Sequence, residues 1–520
     1  MDKPQLDKRI FWGAIFVICL LVAPLALGPE QGLAILNGVR GFLTEEFGWL
    51  YMLFTVAIFG FLIWLATGKY AHVKLGEGDP EFSTPSWIAM MFTGGIGGGI
   101  MYWGAIEWAF YYTAPPFGLE PKTAEAAHWA ATYGLFHWGF TAWAIFCLPV
   151  LPIAYAYHVR KQPTLSLSGA CKGVIGKYAN GWIGKVIDIF FIFGLIGGAG
   201  TSLGLEVPMI SQGVSELLGI PRSVTLDAII IVIWTGLFGV SAFLGLKKGI
   251  KLLADVNMYL ALILGAFVFI FGATVFILTT FTNSVGLLLQ NFVKMSFHMD
   301  FTKGWEFTQT WTIFYWAWWI AYAAFVGLFT ARISRGRTIR GVIAGMVIAG
   351  SLGCWIVFSI FGNTGLYFEL NDIVPVTEIL AKQDAYTAII SIVQAMPLGN
   401  IVLVGFLILM MIFLATTLDS SAFTLAFVAT KEIKSEEDPP RWHRIFWAFI
   451  LAAVSLVLLY SGGLGALQTL SVITSFPLIF IFIIMIISFM KWLREDYPEG
   501  VTKGHSSFKT KQSEADSRDQ

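Results

Sequence analysis

Long apolar runs recur along almost the whole chain, from Ile10 to Trp492. Each can cross about 30 Å of hydrocarbon as a helix, and about twelve such runs occur. The composition agrees, because 57% of the 520 residues are hydrophobic and 13% are charged, with a mean hydropathy of +0.73. A membrane β-barrel would show alternating polarity in short segments, and this pattern is missing from the sequence. The sequence therefore predicts an all-α integral membrane protein. The spans are predicted at 10–28, 49–67, 86–113, 128–157, 183–206, 225–245, 256–281, 309–331, 340–362, 399–430, 443–461 and 467–492.

Charge is balanced in sum but not in position, since 33 basic and 33 acidic residues give a net charge of zero. Basic residues concentrate in alternate loops, which are expected on the cytoplasmic side. With an even number of spans, both termini are then cytoplasmic, and a multi-pass protein of the cell (inner) membrane is predicted. The first apolar run lacks a clean cleavage site, so it is predicted to be a retained helix. The basic residues that define this side are Lys69, Lys74, Arg160, Lys161, Lys247, Lys248, Lys251, Arg332, Arg335, Arg337 and Arg340.

Reactive side chains form no motif typical of an enzyme or a metal centre. The four cysteines show no CxxC or CxxH spacing, and the seven histidines have no suitable partners in a common motif. We therefore predict that the protein is not an enzyme, holds no cofactor and does not bind nucleic acid. An ion channel is also disfavoured, because no symmetric filter or ring of charge is indicated.

Two segments are predicted to interrupt membrane helices. The first, TGGIGGGI at 93–100, places five glycines inside an apolar span, where they weaken the helix and open its backbone. The second, ATTLDSS at 415–421, places hydroxyls and a carboxylate at a depth where polar groups are costly. Broken helices and buried polar groups of this kind hold the substrate and the coupling ion in secondary transporters.

Ten spans follow two leading ones and divide into five and five, beginning near Ser86 and Gln309. An odd number of spans per repeat places the two copies in opposite orientations, which is the LeuT-like inverted-repeat plan. The predicted units are the N-terminal arm with two leading helices at 1–85, the first repeat at 86–281, the second repeat at 309–492 and a disordered cytoplasmic tail at 493–520.

An unusual density of aromatic residues occurs between Trp311 and Tyr322, in the run WTIFYWAWWIAY. Spacings of three and four residues place Tyr315, Trp319 and Tyr322 on a common helix face. A quaternary ammonium has no N–H to donate, so contact with electron-rich rings is the chemistry that recognises it. An interfacial belt is the competing interpretation, but belt residues lie at the ends of a span and these lie near its middle.

Several motifs occur in an order that resembles the betaine/carnitine/choline transporter family. The run FYWAWWIAYAAFVGLFTARISRGRTIR is similar to the family signature, and GGIGGGIMYWGAIEW, HWGFTAWAIF, GTSLGLEV and ATTLDSS accompany it. The resemblance covers roughly residues 10 to 495. It implies twelve helices, the LeuT-like inverted repeat and a homotrimer in the lipid bilayer.

The resemblance also implies a two-ended substrate site for a quaternary ammonium compound. In the family, aromatic residues hold the trimethylammonium group, and unwound backbone of a G-x-G-x-G pattern approaches a carboxylate. The family places an aspartate in this glycine pattern in choline carriers, whereas this chain has glycine at position 99. The matching aromatic residues are Trp138, Trp143, Phe146, Trp318, Trp319 and Tyr322, and the matching glycines are Gly95, Gly97 and Gly99.

For sodium-coupled members, the resemblance implies an ion between the broken third helix and the tenth helix. The matching residues are Thr93 and Ile96 for carbonyl oxygens, Thr416 and Thr417 for hydroxyls, and Phe413 one turn earlier. A second sodium site would involve Thr201 and Phe325.

Sodium-coupled uptake of glycine betaine or a related betaine is the leading interpretation, with alternating access as its mechanism. The alternative is sodium-independent exchange of carnitine for γ-butyrobetaine. Exchangers of the family carry an arginine and a methionine where this chain has Asn257 and Val326. The motif IMYWGAIEW and the tyrosine in WWIAY are nevertheless similar to those of exchangers, so both interpretations stay open.

Overall fold

The structure is a computed structural model that describes residues 5–244, 251–302, 306–431 and 439–501. Almost all of this chain is helical. The first ten helices are α1 Lys8–Leu27, α2 Pro29–Glu46, α3 Gly48–Thr67, α4 Thr84–Ile96, α5 Gly99–Thr113, α6 Ala124–His137, α7 Phe140–Ala154, α8 Leu167–Ile175, α9 Trp182–Leu218 and α10 Val224–Leu244. The remaining helices are α11 Lys251–Phe271, α12 Thr274–Phe297, α13 Ile313–Ile333, α14 Ile339–Ala344, α15 Gly350–Val357, α16 Asn363–Leu370, α17 Val376–Lys382, α18 Ala385–Gln394, α19 Gly399–Val428 and α20 Arg441–Asp496.

Shorter elements join or extend these helices. Single helical turns of 3-10 or π type occur at Pro116–Gly118, Tyr155–Val159, Gly176–Asn180, Thr308–Thr312, Gly345–Ala349 and Phe358–Gly362. Two short strands, β1 Gln5–Leu6 and β2 Thr430–Lys431, form an antiparallel pair. The strand pair holds the N-terminal end of the chain against the segment that follows α19.

Ten helical stretches of the described residues, one of which joins α6 to α7 across a turn, are long and apolar enough to cross a membrane. This confirms the all-α membrane class, whereas the number twelve and the inverted repeat stay predictions. The predicted third span is divided between α4 and α5, each too short to cross alone. The ten stretches are Lys8–Leu25, Gly48–Thr67, Ala124–Val159, Trp182–Leu218, Thr274–Phe297, Thr308–Ile333, Ile339–Leu370, Gly399–Val428, Arg441–Leu458 and Gly465–Asp496.

One predicted span ends earlier than expected. The span predicted at 256–281 ends at Phe271, and α12 begins at Thr274 after a bend that Gly272 starts. The predicted end of the first repeat, residue 281, therefore falls inside α12. Hydropathy alone does not mark this bend, because the residues around it are apolar. The two spans predicted at 443–461 and 467–492 both lie within α20, where a sharp kink at Gly463, with φ +58°, separates them as predicted.

The centre of the bundle consists of α7, α9 and α13, which are buried over most of their length. Helix α13 packs along α7 and also contacts α9 and α20. By contrast, α12 exposes most of its surface. The aromatic run predicted to bind a cation therefore lies on one of the most enclosed helices among the described residues.

Basic loops predicted on one side of the membrane meet at one end of the bundle. The Val501 amide donates to the Lys69 carbonyl at 2.9 Å, and Arg160 Nε lies 2.8 Å from a carboxylate oxygen of Asp496. The predicted start of the disordered tail, residue 493, is therefore too early. Helix α20 continues to Asp496, and Val501 packs on the loop at Lys69. Residues 502–520, like Lys247 and Lys248 of the predicted basic loops, lie outside the described residues.

Candidate functional site

The third membrane span is broken at the glycine stretch, which confirms the first predicted interruption. Helix α4 ends at Ile96 and α5 begins at Gly99, and between them Gly97 has φ +61° and ψ −172°. Residues other than glycine rarely adopt that backbone conformation. The break leaves backbone amides at the start of α5, where the helix dipole favours negative charge.

The glycines of this break lie against residues predicted to bind the substrate or an ion. A methyl group added at Gly97 would lie 2.8 Å from the Thr417 hydroxyl, and one added at Gly99 would lie 3.3 Å from the Trp318 ring. The lack of side chains at these positions therefore allows α13 and α19 to approach the break closely.

Three tryptophans of the predicted aromatic set, Trp138, Trp318 and Trp319, form a compact cluster that we call the aromatic cage. The ring centroids of Trp138 and Trp319 are 4.6 Å apart, those of Trp318 and Trp319 are 4.7 Å apart, and those of Trp138 and Trp318 are 5.9 Å apart. These separations are those of rings in direct contact. The cage is closed on itself in this structure, so the rings must separate to admit a ligand.

The indole N–H groups of the cage are all used in hydrogen bonds, which orient the rings. Trp318 donates to the Gly198 carbonyl and Trp319 donates to the His137 carbonyl, both at 2.9 Å. Because the N–H edges are occupied, the ring faces are the surfaces left to contact a ligand.

The other predicted aromatic residues occupy different positions. Phe146 and Tyr322 extend the cluster, with Phe146 5.3 Å from Trp319 and 6.2 Å from Tyr322 between ring centroids. Trp143 contacts Phe146 but stacks on Phe92 at 5.8 Å, toward α4. A methyl group added at Gly95 would meet the Trp143 ring at 3.6 Å. Trp143 therefore packs against the first half of the broken helix rather than on the cage.

A buried carboxylate, Glu107 on α5, holds one side of the cage. It accepts hydrogen bonds from the Trp138 indole at 2.9 Å, from the Tyr111 hydroxyl at 2.7 Å and from the Tyr315 hydroxyl. The His137 ring lies 3.5 Å away. We call this set the Glu107 network. Its three hydrogen-bond donors support a structural role for this carboxylate.

The second predicted interruption is wrong, because α19 is continuous through residues 415–421. The Thr416 hydroxyl donates to the carbonyls of Ile412 and Phe413 at 3.0 and 2.8 Å. Threonine can satisfy its hydroxyl within its own helix in this way, so a polar cluster does not require a break.

The residues of the predicted first sodium site are only partly brought together. Thr417 lies beside the helix break that follows Ile96. The Thr416 hydroxyl, however, donates to carbonyls of its own helix. Of the two predicted hydroxyl ligands, Thr417 therefore faces the break in this conformation.

The residues of the predicted second sodium site lie on neighbouring helices with separate contacts. The Thr201 hydroxyl lies 3.0 Å from the Leu467 carbonyl and 2.9 Å from the Ser471 hydroxyl, which ties α9 to α20. Phe325 packs on Tyr322 with ring centroids 5.1 Å apart.

Comparison with known proteins connects this geometry to a family. The family model described as BCCT, betaine/carnitine/choline family transporter, matches residues 9–498. The chain belongs to the betaine/carnitine/choline transporter family. This transporter is also 36% identical over 441 residues to the uncharacterized transporter YeaV of Escherichia coli (strain K12), covering 85% of this chain and 92% of the relative. It is thus a multi-pass membrane transporter of the betaine/carnitine/choline type, and its family is one of transporters rather than enzymes.

A second buried carboxylate of the transporter, Glu206 on α9, was missed by sequence reasoning. It is fully buried, and the Gly98 amide is directed at it without reaching hydrogen-bond geometry. A methyl group at Gly98 would lie 2.5 Å from the carboxyl carbon, so the carboxylate fills the space beside the break. We call this region the Glu206 cleft. The signal was present in GTSLGLEV, where an acid follows six small or apolar residues in a membrane span.

The segment before α13 anchors the aromatic helix of the transporter from outside the membrane span. Asp300 accepts hydrogen bonds from the Thr308 amide at 2.8 Å and lies 3.1 Å from the His298 ring. Burial alone would raise the pKa of Asp300, but these two partners hold it below its ordinary value.

Proposed function

We propose that this transporter takes up a trimethylammonium zwitterion, such as glycine betaine, together with sodium by alternating access. The observation that carries the proposal is the contact between the aromatic cage and the helix break, at Trp318 and Gly99. The two places are close enough for one small molecule to reach both.

The cage supplies the affinity for the positively charged end. Each cation–π contact that is shielded from water contributes about 2 kcal/mol, and a trimethylammonium group offers no donor for which other groups could compete. The Glu107 carboxylate behind Trp138 adds a negative charge on the same side. A cation is therefore favoured over a neutral group of the same shape.

The helix break suits the opposite end of the ligand. Backbone amides at the start of α5 have no intrahelical acceptors, and the helix dipole is positive there. A carboxylate at Gly97–Gly99 would receive hydrogen bonds from this backbone.

Sodium-independent exchange of betaines is the second candidate. It is favoured by the Thr416 hydroxyl, which donates to carbonyls of its own helix and leaves Thr417 as the predicted hydroxyl ligand beside the break.

Transport into proteoliposomes distinguishes the two candidates. For symport, an inward sodium gradient is expected to drive accumulation of glycine betaine into vesicles that contain no substrate, and Thr417→Val reduces this accumulation. Exchange predicts uptake only into vesicles preloaded with a betaine, at a rate that complete sodium removal leaves unchanged. Thr67→Val, which alters an exposed threonine hydroxyl on α3, serves as the matched control and should behave as the unaltered protein.

The family resemblance also motivates proposals for assembly and orientation. We propose a homotrimer in the cell (inner) membrane with both termini in the cytoplasm. Light scattering of the purified protein measures the oligomer mass. Labelling of single cysteines at Lys69 and at Glu120 in intact cells tests the orientation, with Glu120 expected to react and Lys69 to be protected.

A further inference from the structure

The unpaired carboxylate in the Glu206 cleft requires a physical explanation. Neither oxygen of Glu206 has a hydrogen-bond partner among the described residues, although the side chain is fully buried. Burying an ionised carboxylate without a partner costs far more than burying a neutral acid. A cleft of this kind is stable when Glu206 holds a proton or when a cation lies beside it.

The surroundings of Glu206 supply no such cation. Its electrostatic neighbours are the Gly98 amide from the helix break and the Tyr322 hydroxyl from α13. Helices α10, α19 and α20 also pack against α9, and within the described residues no lysine, arginine or histidine from them interacts with this carboxylate. The compensating charge must therefore come from solvent or from the transported molecule.

The cleft overlaps the place that the proposed function gives to the substrate carboxylate. Gly98, which faces Glu206, lies next to Gly99, which faces both Trp318 and Ser202. A zwitterion whose ammonium group lies in the cage would bring its carboxylate to this same break. Two ionised carboxylates in contact repel each other strongly, so a pair of this kind shares one proton.

We infer that Glu206 is a protonation-dependent specificity residue of the substrate site. Protonated Glu206 donates a hydrogen bond to the carboxylate of a zwitterionic quaternary ammonium compound. Ionised Glu206 excludes that carboxylate and instead favours a quaternary ammonium cation that has none. This inference rests on the proposed function, since it requires the cage to hold the ammonium group of both ligands.

The two ligand classes should then respond to pH in opposite directions. Binding of a zwitterion keeps a proton on Glu206, so its affinity falls as pH rises, by at most about tenfold per pH unit. Binding of a cation without a carboxylate releases that proton, so its affinity rises with pH to the same limit. Glutamine has nearly the shape of the neutral acid and donates a hydrogen bond at every pH.

Calorimetric titration of the full chain in lipid nanodiscs tests this inference, with glycine betaine and choline as the two probes. Measurements at intervals from about pH 5 to pH 9 cover the range in which buried carboxyl groups titrate. The variants are Glu206→Gln and, as a matched control, Glu216→Gln, which makes the same change at an exposed position of α9. Thermal unfolding of each variant verifies that it is folded.

For the unaltered protein and Glu216→Gln, we expect opposite pH dependences for the two probes. Glu206→Gln should bind glycine betaine at all pH values without this dependence, and its affinity for choline at high pH should fall about tenfold or more. The inference is overturned if both probes bind but Glu206→Gln keeps the pH dependence of the unaltered protein. If neither probe binds at any pH, the proposed function fails and the inference fails with it.

Discussion

Glu107 and Glu206 are two fully buried carboxylates in one helical bundle, the first beside the aromatic cage and the second beside the helix break. Glu107 accepts hydrogen bonds from an indole and two phenols, whereas both oxygens of Glu206 lack a partner of this kind within the described residues. Hydrogen-bonded acids fix their neighbours, and unpaired ones remain free to change charge. Glu107 therefore holds its neighbours in place, whereas Glu206 can gain or lose a proton.

The two regions also differ in what surrounds the acid. The Glu107 network joins α5 to α13 through aromatic side chains that are themselves part of, or next to, the cage. The Glu206 cleft joins α9 to bare backbone at Gly98. Backbone amides at a helix break can bind a ligand once the space beside them is open. The candidate site therefore combines aromatic rings for the ammonium group with a helix break that the Glu206 side chain fills in this structure.

The largest expected difference between the two regions is in stability. Glu107→Leu leaves the Trp138 indole and the Tyr111 and Tyr315 hydroxyls without their shared acceptor, and should cost about 3–5 kcal/mol. Glu206→Leu removes a group that has no hydrogen-bond partner, so stability should be unchanged or increased. Thermal unfolding in the same detergent measures both. Equal destabilisation by the two substitutions would contradict the different roles of Glu107 and Glu206.

Affinity for the ammonium group should depend strongly on the cage. Trp319→Leu removes one ring face, which is worth about 2 kcal/mol, and should weaken glycine betaine binding by about 30-fold. The control is Trp12→Leu, the same change at a position 62% exposed on α1. Calorimetry measures both affinities, and an unchanged affinity for Trp319→Leu would show that the cage is not the binding site.

The close contact in the Glu206 cleft can be tested by adding one methyl group. Gly98→Ala places a carbon 2.7 Å from a carboxylate oxygen of Glu206, so stability should fall by about 1–3 kcal/mol. Combining it with Glu206→Ala should restore most of this loss, because the two substitutions act on one contact. The control is Gly60→Ala on α3, where a methyl group meets nothing within 4 Å. Strictly additive effects would contradict the contact.

The smallest expected effect is a loss of stability when one donor of the Glu107 network is removed. Tyr315→Phe removes one of three donors and leaves Glu107 hydrogen-bonded, so it should cost about 1 kcal/mol. Tyr259→Phe, at an exposed position, provides the matched control, and thermal unfolding again reports the difference. A loss as large as that of Glu107→Leu would mean that the three donors act as a single unit.

Part of this architecture could be predicted from the sequence, because it depends on local chemistry. Apolar runs fix the membrane helices, and the glycine stretch around Gly97 fixes the break in the third span. The aromatic run predicted Trp318 and Trp319 as cage members. Each of these predictions rests on a run of residues of one chemical type that are consecutive or close together in the sequence.

The remainder depends on contacts between distant parts of the chain. Glu107 meets a donor 208 positions away at Tyr315, and no spacing rule connects the two. The continuity of α19 depends on Thr416 bonding to its own helix, a choice that composition leaves open. The place of Glu206 beside Gly98 became visible only when α9 and α5 were packed together.

If the cage recognises positive charge rather than shape, two ligands of the same shape but different charge should bind with different affinities. Glycine betaine and 3,3-dimethylbutyrate have nearly the same shape, but the second has carbon in place of the charged nitrogen. At a pH where glycine betaine binds well, calorimetry should show the neutral-headed analogue binding at least about 30-fold more weakly. Equal affinity for the two compounds would contradict cation recognition by Trp138, Trp318 and Trp319.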